Sequence, residues 1–111
     1  MNSATGHLEH AKADYARLAR LRLRTARESA GWRSIERDGR FDFRSIRHRE
    51  QCAHACGVQL LWTFFHYGMP DGLDIFSPSF VTRFSDYCFA LARFLRPFHS
   101  ELRPPVYTPI N

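Results

Sequence analysis

Apolar and polar positions alternate along this chain with two different periods, and the period changes several times. From about Leu8 to Leu21 the residues Leu8, Ala11, Tyr15, Leu18 and Ala19 recur at three- and four-residue spacing, with Glu9, Lys12, Arg17 and Arg20 on the other side. This predicts an amphipathic helix. Leu23 to Ser29 follows as a short candidate strand. Its Arg27 and Glu28 are expected to face a solvated mouth at the strand's carboxyl end, whereas Arg24 has no such account. Trp32 and Ile35 then anchor a turn or short helix, and Asp38-Gly39 marks a bend. A second helix is predicted from roughly Ser45 to Cys56, with Ile46, Ala53 and Cys56 on its apolar face. Gly57 stands at its stop position, where a positive φ is expected. Val58 to His66 is a nearly continuous apolar and aromatic run, read as a buried strand. After a Pro70-Asp71-Gly72 loop, Ser77-Pro78 predicts a helix start, with Ser77 as the capping hydroxyl. Phe80, Phe84, Tyr87, Cys88, Leu91 and Leu95 continue that helix until Pro97. The stretch Val106 to Asn111 is strand-like but carries Pro109.

The resulting order, helix and strand three times over, predicts an α/β fold: about three parallel strands alternating with three helices, with Val58–His66 central and covered on both faces. Ligands of such sheets sit at the carboxyl ends of the strands, which is where His66 falls. The 111 residues are one domain at most, with residues 1–7 expected to be disordered. Three strands do not complete a (β/α)8 barrel, which takes roughly 250 residues. The chain is therefore expected to be a barrel piece, residues 1–111, with open sheet edges prone to self-association.

Charge changes this picture little. The net charge of +5 lies in the first fifty residues, where eleven Arg and Lys12 face seven acids. No nucleic-acid-binding signature accompanies these charges, so nucleic acid is not the expected partner. Cys52, Cys56 and Cys88 have no zinc-site spacing and read as small hydrophobes of a reducing compartment. No apolar run approaches a membrane span, and the opening residues carry no apolar leader. A cytoplasmic chain with no membrane partner, metal or cofactor is expected.

The candidate chemistry lies at the three strand ends. In Arg27-Glu28-Ser29-Ala30-Gly31-Trp32-Arg33-Ser34-Ile35, an Arg is followed five residues later by Trp and eight later by Ile. His66-Tyr67-Gly68-Met69-Pro70 and Thr108-Pro109-Ile110-Asn111 are the other two segments. Together, and in this order, they resemble the retaining glycoside hydrolases of the β-glucosidase type, family 1. The second segment is similar to that family's His-Trp-Asp-Leu-Pro, and the third to the run entering its Asn-Glu motif. The resemblance spans approximately Tyr15 to Asn111 and implies strands two to four of a (β/α)8 barrel. It implies that Arg27 holds the carboxylate nucleophile, that His66 bonds a sugar hydroxyl and that Asn111 contacts the 2-hydroxyl of a β-glycoside.

The sequence departs from the family where the chemistry is done. The acid/base Glu follows the family's Asn, whereas this sequence stops at Asn111, and the nucleophile belongs to a later strand. Retaining hydrolysis takes two carboxyl groups. The expectation is therefore a glycosidase piece that is inactive alone, with no catalytic residue of its own. The alternatives are a small interaction or oligomerisation module without catalysis and, ranked below it, a basic nucleic-acid-binding protein. Arg22 also stands where a helix-ending Gly is expected, and Tyr67-Gly68 replaces Trp-Asp. Trp32 and Trp62 are expected in the core, and Asp71 and Asp74 as loop polarity.

Overall fold

Tyr15 and Ala11, four residues apart, both fall on the buried side of the first helix, α1 (His7–Arg20), as the three-and-four spacing requires. The computed structural model describes residues 7–66 and 68–111, with side chains from residue 10 onward. The expected disorder of the opening residues and the substitution at Tyr67 therefore fall largely outside the described residues. After α1 come β1 (Thr25–Ser29), a one-turn helix α2 (Trp32–Ile35) and the two-residue strands β2 (Glu36–Arg37) and β3 (Arg40–Phe41). They are followed by α3 (Arg44–Ala55), β4 (Gln59–Phe65), α4 (Pro78–Leu95), a 3-10 turn (Arg96–Phe98) and β5 (Tyr107–Ile110).

β1, β4 and β5 form one open, wholly parallel sheet with β4 in the middle. The register sets Ser29, Thr63 and Thr108 side by side, and likewise Glu28, Trp62 and Tyr107. Pro109 is tolerated because β5 is an edge strand, where a missing N–H breaks no ladder on its outer side. The Asp38-Gly39 bend is the turn of a hairpin between β2 and β3, with φ of 52° and 76°. Two successive positive φ values are what a type I′ turn needs, and Asp-Gly supplies them.

The helices pack on one face of this sheet. Leu60, Trp62 and Phe64 point into the core with Tyr15, Ile46, Ala53, Tyr87, Leu91 and Leu95. The opposite face carries Arg27, Ser29, Leu61, Thr63 and Thr108. Leu61, in mid-strand on this face, does not belong to the core, and Ile110 of the edge strand is 57% exposed. This corrects the expectation of cover on both faces. The apolar run of β4 arises instead because its end is wrapped: Phe65 meets Trp32, Phe80 and Phe84 in an aromatic cluster at centroid distances of 5.6 to 6.0 Å.

Helices α1 and α3 end in the same way. Leu23 N–H donates to Leu18 O and Arg22 N–H to Ala19 O, each at 2.9 Å, while Val58 N–H donates to Ala53 O at 2.9 Å and Gly57 N–H to His54 O at 3.2 Å. Both are Schellman caps, whose penultimate residue must be left-handed. Gly57 takes φ 71°, as its position predicts, and Arg22 takes φ 61° with a full side chain. Ser77 does not cap α4, contrary to expectation. Its hydroxyl donates to Asp74 O at 2.7 Å, which closes the preceding loop, and Pro78 alone marks the helix start. No helix among the described residues is long and apolar enough to cross a membrane.

Candidate functional site

The parallel register brings the three predicted site residues to one place. Arg27 leaves β1 two residues before its end, His66 directly follows β4, and Asn111 directly follows β5. All three line a shallow cavity of about 230 Å3 at the carboxyl ends of the strands, together with Glu28, Ser29 and Thr63. Asn111 N–H donates to Phe65 O at 3.0 Å, extending the β4–β5 ladder by one rung and fixing Asn111 beside His66. His66 Nδ1 lies 3.3 Å from Asn111 O and 3.2 Å from Asn111 Nδ2. Protonated, this nitrogen donates to the carbonyl; unprotonated, it accepts from the amide.

Arg27 and Glu28 were expected to face this mouth together, and the structure corrects half of that. Neighbouring strand residues point to opposite faces, so Arg27 is exposed on the open face while Glu28 turns towards the helices and is 8% exposed. Tyr15 Oη donates to Glu28 Oε1 at 2.8 Å, and Arg49 of α3 donates to Glu28 Oε2 at 3.0 Å. Arg49 also donates to Ser29 O at 2.8 Å and Ala30 O at 3.4 Å, and its guanidinium lies 4.7 Å from the Trp62 ring centroid. The end of β1 is thereby held from behind by a charged group with several fixed donors. Burial and the Glu28 carboxylate push the Tyr15 phenol far above its ordinary pKa, so it stays a donor at any working pH.

Behind Trp62 lies a second buried carboxylate. Trp62 Nε1 donates to Glu50 Oε1 at 2.7 Å, and His54 Nε2 lies 3.5 Å from Glu50 Oε2. Burial raises the Glu50 pKa and lowers that of His54, so both groups tend towards their neutral forms. Neither carboxylate is free to attack or to trade a proton at the mouth. Tyr107 bonds His99 Nε2 through its hydroxyl, and burial pushes this phenol up to about 12.

The sequence reading missed Arg49, Tyr15, Ser29 and Thr63. An Arg at the fourth position after Ser45 on a helix with an apolar stripe is an ordinary surface residue by pattern, and only its placement opposite Glu28 marks it. Ser29 shares the face of Arg27 by two-residue spacing, a signal that was legible, whereas Thr63 joins that face only through the register that pairs it with Ser29. Trp32 and Trp62 are buried as expected. Asp71 pairs with Arg33 at 3.0 Å on the surface, and Asp74 accepts from Phe76 N–H at 2.9 Å, both as loop polarity. Larger clefts of about 580 and 660 Å3 flank the β2–β3 hairpin. They are lined largely by arginines and acids that pair with one another, such as Arg44 with Asp42 at 2.6 Å and Arg83 with Glu36 at 2.6 Å. The strand-end cavity is smaller, but side chains from three strands converge on it.

Its lining of one guanidinium, one carboxylate, two hydroxyls, an imidazole and a carboxamide suits a polyhydroxylated ligand, whose groups both donate and accept. It does not present a pair of carboxyl groups flanking a bond. No protein-family model matches this chain, and no curated protein matches it significantly.

Proposed function

We propose that the carboxyl-end mouth of the sheet is the sugar-binding part of a β-glucosidase-like glycoside hydrolase, with Arg27, His66 and Asn111 as its contacts. The observation that carries this reading is their convergence on one cavity from three adjacent parallel strands. In it the three strands belong to a (β/α)8 barrel in a cytoplasmic enzyme. His66 exchanges hydrogen bonds with a sugar hydroxyl, Asn111 turns its carboxamide to the 2-hydroxyl, and Arg27 lies beside the position of the nucleophile. Retaining hydrolysis takes one carboxylate to attack and one carboxyl group to trade a proton, about 5 Å apart. The cavity holds only Glu28, whose oxygens already accept from Tyr15 and Arg49. The proposal is therefore binding without turnover for this chain, and turnover in a barrel whose other strands bring the two carboxyl groups.

The test is an NMR titration of the chain with an aryl β-glucoside, alongside an assay for release of the aryl group. Shifts confined to the amides around Arg27, His66 and Asn111, with no release, are expected. Absence of shifts removes the sugar-site reading. Release that disappears on Glu28→Gln replaces binding alone with catalysis by Glu28.

A further inference from the structure

The opposite end of the sheet carries a second surface with a different chemistry. Between Asp14 and Glu28 the sequence has Arg17, Arg20, Arg22, Arg24 and Arg27 and no acid. The first four lie on the last turn of α1 and the loop into β1, at the sheet's amino end, since Gln59 at the start of β4 donates its N–H to Arg24 O at 2.7 Å. All four are exposed, and among the described residues none is in an ion pair. Glu28, the next acid, is taken by Arg49 on the far side of the sheet.

Two further observations single this end out. Leu21 and Leu23, interleaved with these arginines, are 65% and 50% exposed, and Leu102, in the loop before β5, is 92% exposed. That loop reaches the same end of the sheet, where Gln59 Nε2 donates to Pro104 O at 2.7 Å. Arg22 also holds φ 61° at a cap position where α3 uses glycine. An outlying backbone carrying a long cation, rather than the residue that relieves it, is the kind of strain found at functional positions. A cleft of about 390 Å3 opens between Arg22–Arg24 and Cys56–Gly57.

We propose that this end of the molecule is a peripheral docking surface for an anionic phospholipid bilayer. The arginines meet lipid phosphates and carboxylates, and the leucines enter the boundary between head groups and acyl chains. Four to eight basic residues beside exposed aliphatic side chains are what such adhesion uses. The leucines decide between this and a nucleic-acid backbone. Phosphodiester binding has no use for exposed aliphatics and commonly adds aromatic stacking, whereas the exposed apolar side chains interleaved with these arginines are leucines. No membrane partner was expected from the sequence, where the acids interleaved with the arginines of the first half were read as balancing them; between Asp14 and Glu28 there is no acid. This docking surface is independent of the sugar-site reading, because the two surfaces lie at opposite ends of the strands.

Flotation of the full chain with vesicles tests it, using phosphatidylcholine alone and phosphatidylcholine mixed with phosphatidylserine, at low and high salt. Binding is expected only to the serine-containing vesicles, falling as salt rises. Arg20→Gln and Arg24→Gln are each expected to weaken it about fivefold. Leu21→Ser with Leu23→Ser is expected to weaken it at unchanged charge, with the circular dichroism of the parent retained. Equal binding to both vesicle types, or to neither, overturns the proposal. So does duplex DNA binding of comparable strength that ignores the leucine substitutions, which assigns the surface to nucleic acid.

Discussion

Arg49 and Glu28 form a buried ion pair at 3.0 Å, with 1% and 7% of their side chains exposed, that ties α3 to the end of β1. Removing one partner leaves the other charged and without water. Such a loss costs about 3–5 kcal/mol, a large share of the roughly 5–15 kcal/mol that holds a domain folded. Arg49→Met is expected to lower the urea midpoint accordingly. Arg49→Met combined with Glu28→Leu is expected to cost much less than the sum of the single changes. Additive losses measured by equilibrium unfolding contradict the pairing.

The two helix caps differ in one residue, and that difference is measurable. A left-handed non-glycine residue costs about 1–2 kcal/mol, and glycine returns part of that gain by freeing the unfolded chain, about 0.4–1 kcal/mol. Arg22→Gly is therefore expected to raise the thermal midpoint slightly, by the equivalent of a few tenths of a kcal/mol to about 1 kcal/mol. Gly57→Val is expected to lower it by at least about 1–2 kcal/mol, through strain alone, because open space surrounds the position a Cβ would take. Equal midpoints for Gly57→Val and the parent argue against the cap.

Glu50 and His54 make stability depend on pH in opposite senses. The Glu50 pKa is raised by burial, so the folded chain holds this proton more tightly than the unfolded one. Its contribution is whole below the usual carboxylate value of 4.5 and is lost as pH rises through the raised value. The His54 pKa is lowered by burial and by Arg103, so its contribution is present above 6.5 and is lost as pH falls through the lowered value. Glu50→Gln is expected to remove the decline on the alkaline side of 4.5 and leave the His54 limb in place. Thermal melts of both proteins across about pH 4 to 8, the span in which carboxylate and imidazole groups titrate, read this directly.

Tyr87 is wholly buried, donates its hydroxyl to Phe64 O at 2.7 Å and stacks on Trp32 at 5.0 Å with the rings 8° apart. Tyr87→Phe keeps the stack and leaves the Phe64 carbonyl without that donor. A loss of about 1 kcal/mol is expected, and denaturant unfolding would expose a larger role for the hydroxyl as a larger loss.

At the mouth the expectation is reversed. Asn111 is exposed and His66 half-buried, so His66→Ala and Asn111→Ala are expected to change stability by only about 0.5 kcal/mol. Both are expected to abolish the sugar-induced amide shifts. A cooperative melt close to the parent's, together with intact ligand shifts, removes these two side chains from the site.

The periodic elements were legible in the sequence because burial imposes period on them. α1, α3, α4 and β4 start and stop within a residue or two of the places where the apolar stripe, Gly57 and Pro78 put them. β1 begins at Thr25 rather than Leu23 because the cap of α1 consumes Arg22 and Leu23, and this also accounts for Arg24, which lies exposed ahead of the strand. The hairpin was only half legible: Asp38-Gly39 announced a turn, but strands of two residues have no period to read. At the mouth, Arg27, His66 and Asn111 could be named from local motifs. The support behind them could not, since the Arg49–Glu28 and Glu50–Trp62 contacts join positions with no local relation. Which face of the sheet stays open was hidden for a similar reason: Leu61 and Leu60 are the same residue type, and only the packing of the helices separates them.

The order of the sheet also constrains how the molecule is made. β4 is the only strand that pairs with both others, and it follows β1 by two helices and a hairpin, while its contact from Gln59 to Pro104 spans 45 residues. A ribosome releasing the chain from its amino end therefore exposes β1, with its buried Glu28, well before the strand that completes it exists. Pairings this far apart form slowly, and unpaired strands are where nascent chains stick to one another. α1 and α3 can meet before β4 is made, and Tyr15 and Arg49, reaching Glu28 from those two helices, give β1 a place to wait.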